Sequence, residues 1–263
     1  MFSFCSLYSG SSGNSSFVQS EKTKLLIDCG ESAKKIINSL TDIDIDINDI
    51  DAILVTHEHI DHVKSLGTLS RKYNIPIYTN IETLNAMPDQ IQKINSENIH
   101  IFDFSKDFYI NDLEIHPFSI PHDAANPCAF NIIKNDKKIS IATDIGHMTP
   151  EIINNLEKSK FLLLESNYDP NILKCSPYPY HLKERISGPF GHLSNEHAGK
   201  TISHLLNSGL QTAMLGHLSK ENNFPELAYK TVMDEIINND YKEKDLNLSV
   251  ATRFNHSPII NII

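Results

Sequence analysis

The sequence has 263 residues, of which 40% are hydrophobic, and no linker-like stretch divides it, so we predict a single domain over residues 1–263. Its 23 Lys and Arg against 33 Asp and Glu give a formal net charge of −10, which argues against a nonspecific nucleic-acid binder with a broad basic surface. No apolar run is long enough to span a bilayer, and the first residues lack the basic start of a secretion signal, so we expect a cytoplasmic protein without membrane contacts.

Residues 24–57 contain two strand-like runs joined by a helix, and the first run ends on Asp28. Residues 138–165 repeat this plan with a strand that ends on Asp144, a helix, and a strand that ends on Glu165. Two such units indicate two sheets packed face to face with helices outside, so we predict an α/β (α+β) fold, a four-layer αββα sandwich. Further strand-like runs are Phe2–Leu7, Ser16–Gln19, Ile99–Phe102, Ala129–Ile133 and Leu248–Ala251, and helix-like runs are Pro150–Leu156, Asn195–Asn207 and Pro225–Asn238.

The run THEHIDH at residues 56–62 directly follows a buried, strand-like segment. It places His57, His59, Asp61 and His62 on the predicted turn between that strand and the next helix. Imidazole nitrogens and carboxylate oxygens are ligands that zinc and similar metals accept, and two ions held close together need a cluster that can be divided between them. His57 and His59 would bind one ion, and Asp61 and His62 the other. The alternative is a polar loop whose histidines are solvated.

Three later polar residues also lie just past the carboxyl end of an apolar run. His122 follows the alternating segment Leu113–Phe118, Asp144 ends a strand-like run, and His217 ends the run Ala213–Gly216. An open sheet normally places its binding crevice at the carboxyl ends of its strands. These three residues are therefore candidates for the same site as the THEHIDH run.

Together these motifs resemble the signature of the metallo-β-lactamase superfamily. The resemblance implies that His122 is the third histidine of the first metal site, that Asp144 bridges both ions and that His217 completes the second site. It implies two divalent ions per chain, Zn²⁺ or Mn²⁺, and a bridging hydroxide nucleophile that Asp61 or Asp144 can orient. Asp28 is expected to orient a metal-bound histidine. The superfamily hydrolyses β-lactams, thioesters, lactones and phosphodiesters, so other residues must decide the substrate.

Glu165 and His192 are the strongest candidates for that decision. A phosphodiester expels an alkoxide, which leaves better when protonated, and a histidine polarised by a carboxylate suits this role near neutral pH. The pair resembles the proton relay of the transfer-RNA 3′-processing nuclease branch of the superfamily. In the alternative interpretation, Ser194 only caps a helix and His192 is an ordinary loop residue.

A narrower resemblance covers nearly the whole chain and concerns the YycJ (also WalJ) group of bacterial exonucleases. It implies a 5′-to-3′ exonuclease that acts on double-stranded DNA, with the 5′ end of the duplex as its substrate. One departure from the group is Tyr168, where a histidine is expected. The motifs are SGSSGNS at residues 9–15, THEHIDH, Glu165-Ser166-Asn167, YPYHLKERI at residues 178–186, GHLSN at residues 191–195 and HLSKENN at residues 217–223.

Two segments are candidates for binding the nucleic acid. The Gly/Ser-rich segment at residues 9–15 offers hydroxyl and N–H groups that could cradle a phosphate, and its candidate residues are Ser11, Ser12 and Asn14. Lys183 and Arg185 could hold the DNA backbone or a 5′-phosphate, and His181 could contact the terminal nucleotide. The alternative for the second segment is an ordinary solvated helix. Arg253 has no role from the sequence beyond structure.

Three other functions remain open. A transfer-RNA 3′-processing-type endoribonuclease would share every catalytic residue, although the chain shows no long basic arm for gripping transfer RNA. A small-molecule hydrolase acting on a thioester, lactone or cyclic phosphodiester would need the metals but not Glu165 and His192. A non-catalytic binding protein on a hydrolase fold would have lost metal ligands, which this chain retains.

Overall fold

A computed structural model describes residues 1–239, 241 and 246–263, and within these ranges the chain forms fourteen strands and ten α-helices. The strands are β1 (Phe2–Tyr8), β2 (Ser15–Ser20), β3 (Lys24–Ile27), β4 (Ala52–Leu54), β5 (Ile77–Thr79), β6 (Ile99–Ile101), β7 (Phe108–Ile110), β8 (Leu113–Ser119), β9 (Cys128–Lys134), β10 (Lys137–Ala142), β11 (Phe161–Glu165), β12 (Thr212–Gly216), β13 (Asn247–Val250) and β14 (Ile260–Asn261). The helices are α1 (Ala33–Asp42), α2 (Ile60–Val63), α3 (Leu66–Tyr73), α4 (Ile81–Ala86), α5 (Asp89–Gln92), α6 (Pro150–Leu156), α7 (Pro170–Cys175), α8 (Tyr180–Ser187), α9 (Asn195–Leu206) and α10 (Pro225–Asn238).

The strands form two seven-stranded mixed sheets of matching design. One sheet has the order β14-β1-β2-β3-β4-β5-β6 and the other the order β13-β12-β11-β10-β9-β8-β7. Strands β3 to β6 pair in parallel, as do β10 to β13, while the remaining pairs are antiparallel. Because parallel strands share a direction, the carboxyl ends of each parallel set lie along one edge of its sheet.

Three apolar clusters separate the layers. The cluster between the sheets contains residues of both, and the rings of Phe4 in β1 and Phe161 in β11 lie 4.3 Å apart there. A second cluster joins the outer face of the first sheet to α1 and α3, and a third joins the second sheet to α6, α9 and α10. The predicted αββα sandwich is therefore confirmed. Among the described helices, none has both the length and the apolar character needed to cross a membrane.

The predicted elements differ from the structure mainly where they are short. Strand β4 has three residues, fewer than the apolar run that predicts it, and the three-residue strands β5 and β7 show no usable alternation in the sequence. The THEHIDH run is only partly a turn, because Asp61 and His62 lie in the single helical turn α2. Such short elements are set by pairing and packing rather than by local pattern.

Candidate metal centre

The predicted site residues converge at the carboxyl ends of the parallel strands of both sheets. The THEHIDH run follows β4, Asp144 follows β10, and His217 follows β12, while Glu165 is the last residue of β11. Asp28 follows β3. The two sheets pack with these edges together, so residues from distant parts of the chain face one crevice.

Just past the end of three of these strands lies a residue with left-handed backbone conformation. The φ angles are 61° at Asp28, 61° at Asp144 and 54° at His217. Aspartate and histidine are both found in this region more often than most other residues apart from glycine. In each case the chain turns sharply after the strand.

The first cluster contains His57, His59 and His122, with one nitrogen of each lying within 4.8 Å of the others. Nδ1 of His57 donates to Thr56 Oγ1 at 3.0 Å, because that hydroxyl donates its own proton to Asp28 at 2.8 Å. Nδ1 of His122 donates to the Gly191 carbonyl at 3.0 Å. Burial lowers the pKa of His57 and of His122, so both rings are neutral and present an Nε2 lone pair to the crevice.

The second cluster contains Asp61, His62 and His217. Nδ1 of His62 donates to Asp28 Oδ2 at 2.7 Å, and Nδ1 of His217 donates to Glu165 Oε1 at 2.7 Å. Each ring therefore turns Nε2 inward, and Asp61 Oδ2 lies 3.7 Å from both of these atoms. His57, His62 and Asp144 form a further group of this kind, so the two clusters adjoin each other, and the division of the ligands between two ions stays a prediction.

Asp144 lies between the two clusters. Its Oδ2 is 3.2 Å from His62 Nε2, and its Oδ1 is 3.7 Å from His122 Nε2. Burial opposes its ionisation, but the nearby His217 and His62 outweigh this and hold its pKa well below the usual value. A carboxylate in this position can contact ions held by either cluster.

The charge balance of the crevice fits a divalent cation. Buried atoms without a hydrogen-bond partner here include Nε2 of His57, His122 and His217, and Oδ2 of Asp144. Buried polar atoms rarely lack a partner, and imidazole nitrogens and carboxylate oxygens are suitable metal ligands. Burial lowers the pKa of His217, but Asp144, Asp61 and Glu165 outweigh it and raise that pKa to about 10. The buried carboxylates are therefore stabilised by positive charge nearby, and a metal ion would supply this charge in place of the protons on the histidines.

Glu165 links the metal centre to His192. Its Oε1 accepts hydrogen bonds from Nδ1 of His192 at 2.8 Å and from Nδ1 of His217 at 2.7 Å, while Oε2 accepts the amides of Ile145 and Leu193. Burial opposes its ionisation, but the two histidines outweigh this and lower its pKa to about 2. The His192 side chain is 19% exposed, and its ring centroid lies 5.2 Å from those of His122 and His217. Glu165 holds Nδ1, which leaves Nε2 for proton exchange.

Asp28 accepts hydrogen bonds from residues of the THEHIDH run, and its role in orienting a metal-bound histidine stays a prediction. Besides the hydrogen bond from His62, Asp28 Oδ1 accepts one from the Thr56 amide at 2.9 Å and Oδ2 accepts one from the Thr56 hydroxyl at 2.8 Å. It therefore aligns one histidine of each cluster, His62 directly and His57 through Thr56. Gly30 supports the same turn, because a Cβ at this position would lie 1.6 Å from the Asp61 carbonyl oxygen.

The Gly/Ser-rich loop is less open to phosphate than its composition predicts. The amides of Gly10 and Gly13 bond within the loop, to Asn14 Oδ1 and to the Gly10 carbonyl. Asn14 is buried and places Nδ2 3.0 Å from His62 Nε2. It therefore lines the metal centre, whereas the side chains of Ser11 and Ser12 remain exposed.

The predicted DNA-binding residues of α8 have different environments. Arg185 Nε pairs with Asp123 Oδ2 at 2.6 Å, and Asp123 Oδ1 lies 3.3 Å from His122 Nε2. Arg185 is therefore next to the first cluster, but its charge is balanced. Lys183 Nζ donates to the Lys174 carbonyl in α7 and His181 is exposed, and a DNA contact of either residue stays a prediction.

Sequence reasoning missed the contributions of Asp123, Thr56 and Arg253. Asp123 and Thr56 are each adjacent in sequence to a predicted ligand, which was the available signal. Arg253 lies three residues after β13, at the same strand edge as the ligands, and contacts Ser12. Tyr168 is buried, and its carbonyl accepts the amide of Asn195, so it contributes through its backbone.

Comparisons with known proteins agree on family and fold. The family described as "Beta-lactamase superfamily domain" matches residues 23–217. The chain is 38% identical over 259 residues to the exodeoxyribonuclease WalJ of Streptococcus pneumoniae serotype 2, covering 95% of this chain and 96% of that protein. It is 36% identical over 229 residues to the exodeoxyribonuclease YycJ of Bacillus anthracis, covering 87% of each. The metallo-beta-lactamase fold protein YhfI from Bacillus subtilis superposes with a TM-score of 0.72 at 16% identity, covering 97% of this chain and 99% of that chain.

Replacing Asp28 by Asn should weaken metal binding by about 10- to 100-fold, because the amide cannot accept all three hydrogen bonds that hold His62 and Thr56. Competition with a chelator measures the affinity. Asp136→Asn, at an exposed turn position, is the control and should bind metal normally. Unchanged affinity in the Asp28 variant would show that this residue does not orient a ligand.

Metal binding to the metal-free protein should release protons. The pKa of His62 is raised by Asp144, Asp28 and Asp61 against the opposing effect of burial, and that of His217 is raised to about 10, so both rings are protonated at neutral pH. Apparent metal affinity should therefore rise with pH up to about 10. In the metal-free protein, the stability gained from these protons is complete below the ordinary histidine pKa of about 6.5 and is lost as pH rises through the raised values.

Calorimetric titration in two buffers of different ionisation enthalpy measures the proton release. A binding heat that is independent of the buffer would contradict the expectation. Thermal unfolding of the metal-free protein as a function of pH provides the second measurement, and its midpoint should fall as the pH rises above neutrality.

Proposed function

This chain belongs to the metallo-β-lactamase superfamily and is a metal-dependent hydrolase, and we propose that it degrades double-stranded DNA as a 5′-to-3′ exonuclease with two divalent ions, Zn²⁺ or Mn²⁺. The resemblance to the YycJ and WalJ exonucleases is confirmed by identity over most of the chain. The observation that carries the proposal is the shared hydrogen bonding of Glu165 to His192 and His217. It connects a proton donor to the metal centre, which a reaction with an alkoxide leaving group needs.

In this proposal, seven side chains hold the two ions. When bound, the ions polarise the phosphodiester and make hydroxide available near neutral pH. Asp61 is the carboxylate best placed to orient the attacking water, because its side chain is 21% exposed whereas that of Asp144 is 3% exposed. His57, His59 and His122 would hold the first ion, Asp61, His62 and His217 would hold the second, and Asp144 would contribute to both.

His192 provides the proton for the leaving group. The oxygen of the attacking water forms a bond to phosphorus while the P–O bond to the leaving group breaks. His192 Nε2 donates its proton to the departing alkoxide and later recovers one from solvent. Glu165 Oε1 accepts a hydrogen bond from Nδ1 of His192, so it fixes the orientation of the ring and leaves Nε2 as the atom that exchanges a proton. Since Glu165 is buried and ionised, this support is present throughout the neutral pH range.

Digestion of matched substrates tests the function. We expect stepwise release of nucleotides from the 5′ end of 5′-phosphorylated duplex DNA with manganese or zinc, and no release by Asp61→Ala. Single-stranded DNA and unprocessed transfer RNA serve as comparison substrates. Cleavage of the precursor RNA alone would place the protein with the endoribonucleases, and inactivity on all three would favour a small-molecule hydrolase.

Replacing His192 by Ala tests the proton donor. We expect kcat on duplex DNA to fall by about 10²- to 10⁴-fold with unchanged metal content. On bis(p-nitrophenyl) phosphate the loss should be small, because p-nitrophenolate leaves without a proton. His100→Ala, an exposed position in β6, is the control. Near-full activity of His192→Ala on DNA would refute the mechanism.

A further inference from the structure

A cavity of about 400 Å³ adjoins the second cluster of predicted ligands. Ser9 lines this cavity, and its Oγ accepts a hydrogen bond from the His217 amide at 2.8 Å. Leu218, the residue after His217, lines it too. The cavity therefore begins one residue from the metal centre. His192 instead lies beside a separate cavity of about 490 Å³, lined by its neighbour Leu193 and by Gly146, and the two cavities share no lining residue.

The cavity next to His217 is positively charged in a chain whose formal net charge is −10. Arg253 and Lys220 line it, and none of its lining residues is acidic. Within residues 1–239, 241 and 246–263, no carboxylate lies within ion-pair distance of either side chain. Two cations without a protein counter-ion make this cavity suitable for an anion.

Arg253 is held in a defined position. Its Nη1 donates to Ser12 Oγ at 3.3 Å, and its Nη2 donates to the Leu218 carbonyl. Its guanidinium group packs against Gly10, where a Cβ would lie 2.8 Å from Nη1. These contacts hold the planar group between the Gly/Ser-rich loop and the segment that carries His217. A guanidinium fixed in this way can bind a phosphate with little further loss of side-chain entropy.

Aromatic side chains lie at the same cavity. Phe224 and Phe254 line it and are 48% and 72% exposed. Exposed phenylalanine is unfavourable in water, and base stacking on such rings is a common way for proteins to hold nucleic acid. A fixed guanidinium, a lysine and two exposed rings match the alternation of phosphates and bases along a strand.

We propose that Arg253, with Lys220 and Ser12, binds one phosphate of the DNA strand. This phosphate is the neighbour of the scissile phosphate and lies on the part of the strand that keeps the scissile phosphate after cleavage. The leaving group must lie beside His192, so the retained part of the strand continues toward the other cavity. Phe224 and Phe254 contact the adjoining bases. This assignment rests on the proposed nuclease function and adds a substrate-binding residue outside α8.

Replacing Arg253 by Gln tests the assignment. The KM for duplex DNA should rise by at least about tenfold with a smaller change in kcat, and the slope of log affinity against log salt should fall by about 1. Activity on bis(p-nitrophenyl) phosphate, which occupies only the metal centre, should be unchanged. Arg253→Lys should recover part of the DNA affinity. Arg71→Gln, another arginine that donates to a backbone carbonyl, is the control.

The possible results separate the two proposals. Unchanged KM for DNA in Arg253→Gln would overturn the assignment, and equal loss on both substrates with loss of metal or thermal stability would show a purely structural role. Wild-type protein that hydrolyses bis(p-nitrophenyl) phosphate but not DNA would overturn the nuclease function itself. The loss in Arg253→Gln should be the same on 5′-phosphorylated and 5′-hydroxyl duplex, because the phosphate assigned to Arg253 lies within the retained strand, and a loss confined to the 5′-phosphorylated duplex would overturn the assignment.

Discussion

The buried carboxylate of Glu165 is the constraint on which the site depends. It accepts four hydrogen bonds, two from histidine side chains and two from backbone amides. A buried charge that loses its partners costs several kcal/mol, so the donors must be kept in place. The requirement joins the end of β11, the turn after β10, the segment before α9 and the end of β12. One ionised group thereby orders both His192 and His217, the proposed proton donor and a predicted metal ligand.

The histidines of the site follow a common rule. In His57, His62, His122 and His217, Nδ1 donates to a fixed acceptor on the protein, which leaves Nε2 directed into the crevice. A histidine whose outer nitrogen is held in this way has one tautomer and one orientation, which raises its affinity for a metal. The acceptors differ, since they are a hydroxyl, two carboxylates and a carbonyl, but the geometric result is the same.

Equivalent residues in the two halves of the chain have different positions in the site. Asp28 and Asp144 end equivalent strands with the same φ of 61°, yet Asp28 supports His62 from behind while Asp144 faces both ligand clusters. Charge is also distributed unevenly over the molecule. The two cavities beside the site have no acidic lining residue, although the chain as a whole is acidic. A polyanion can therefore be repelled by most of the surface and still be attracted to the crevice.

The sequence alone determined the αββα architecture and indicated most of the predicted ligands, because both depend on a local pattern, an apolar run that ends in a polar side chain. It also indicated Glu165 and His192, whose residue types and order suit a proton relay. Only the tertiary structure decided which nitrogen each histidine presents, that Asp123 neutralises Arg185, that Asn14 faces the metal centre, and that Arg253 contacts Ser12. These contacts join residues far apart in the chain, and their geometry follows from how the two sheets pack, which spacing along the chain does not record.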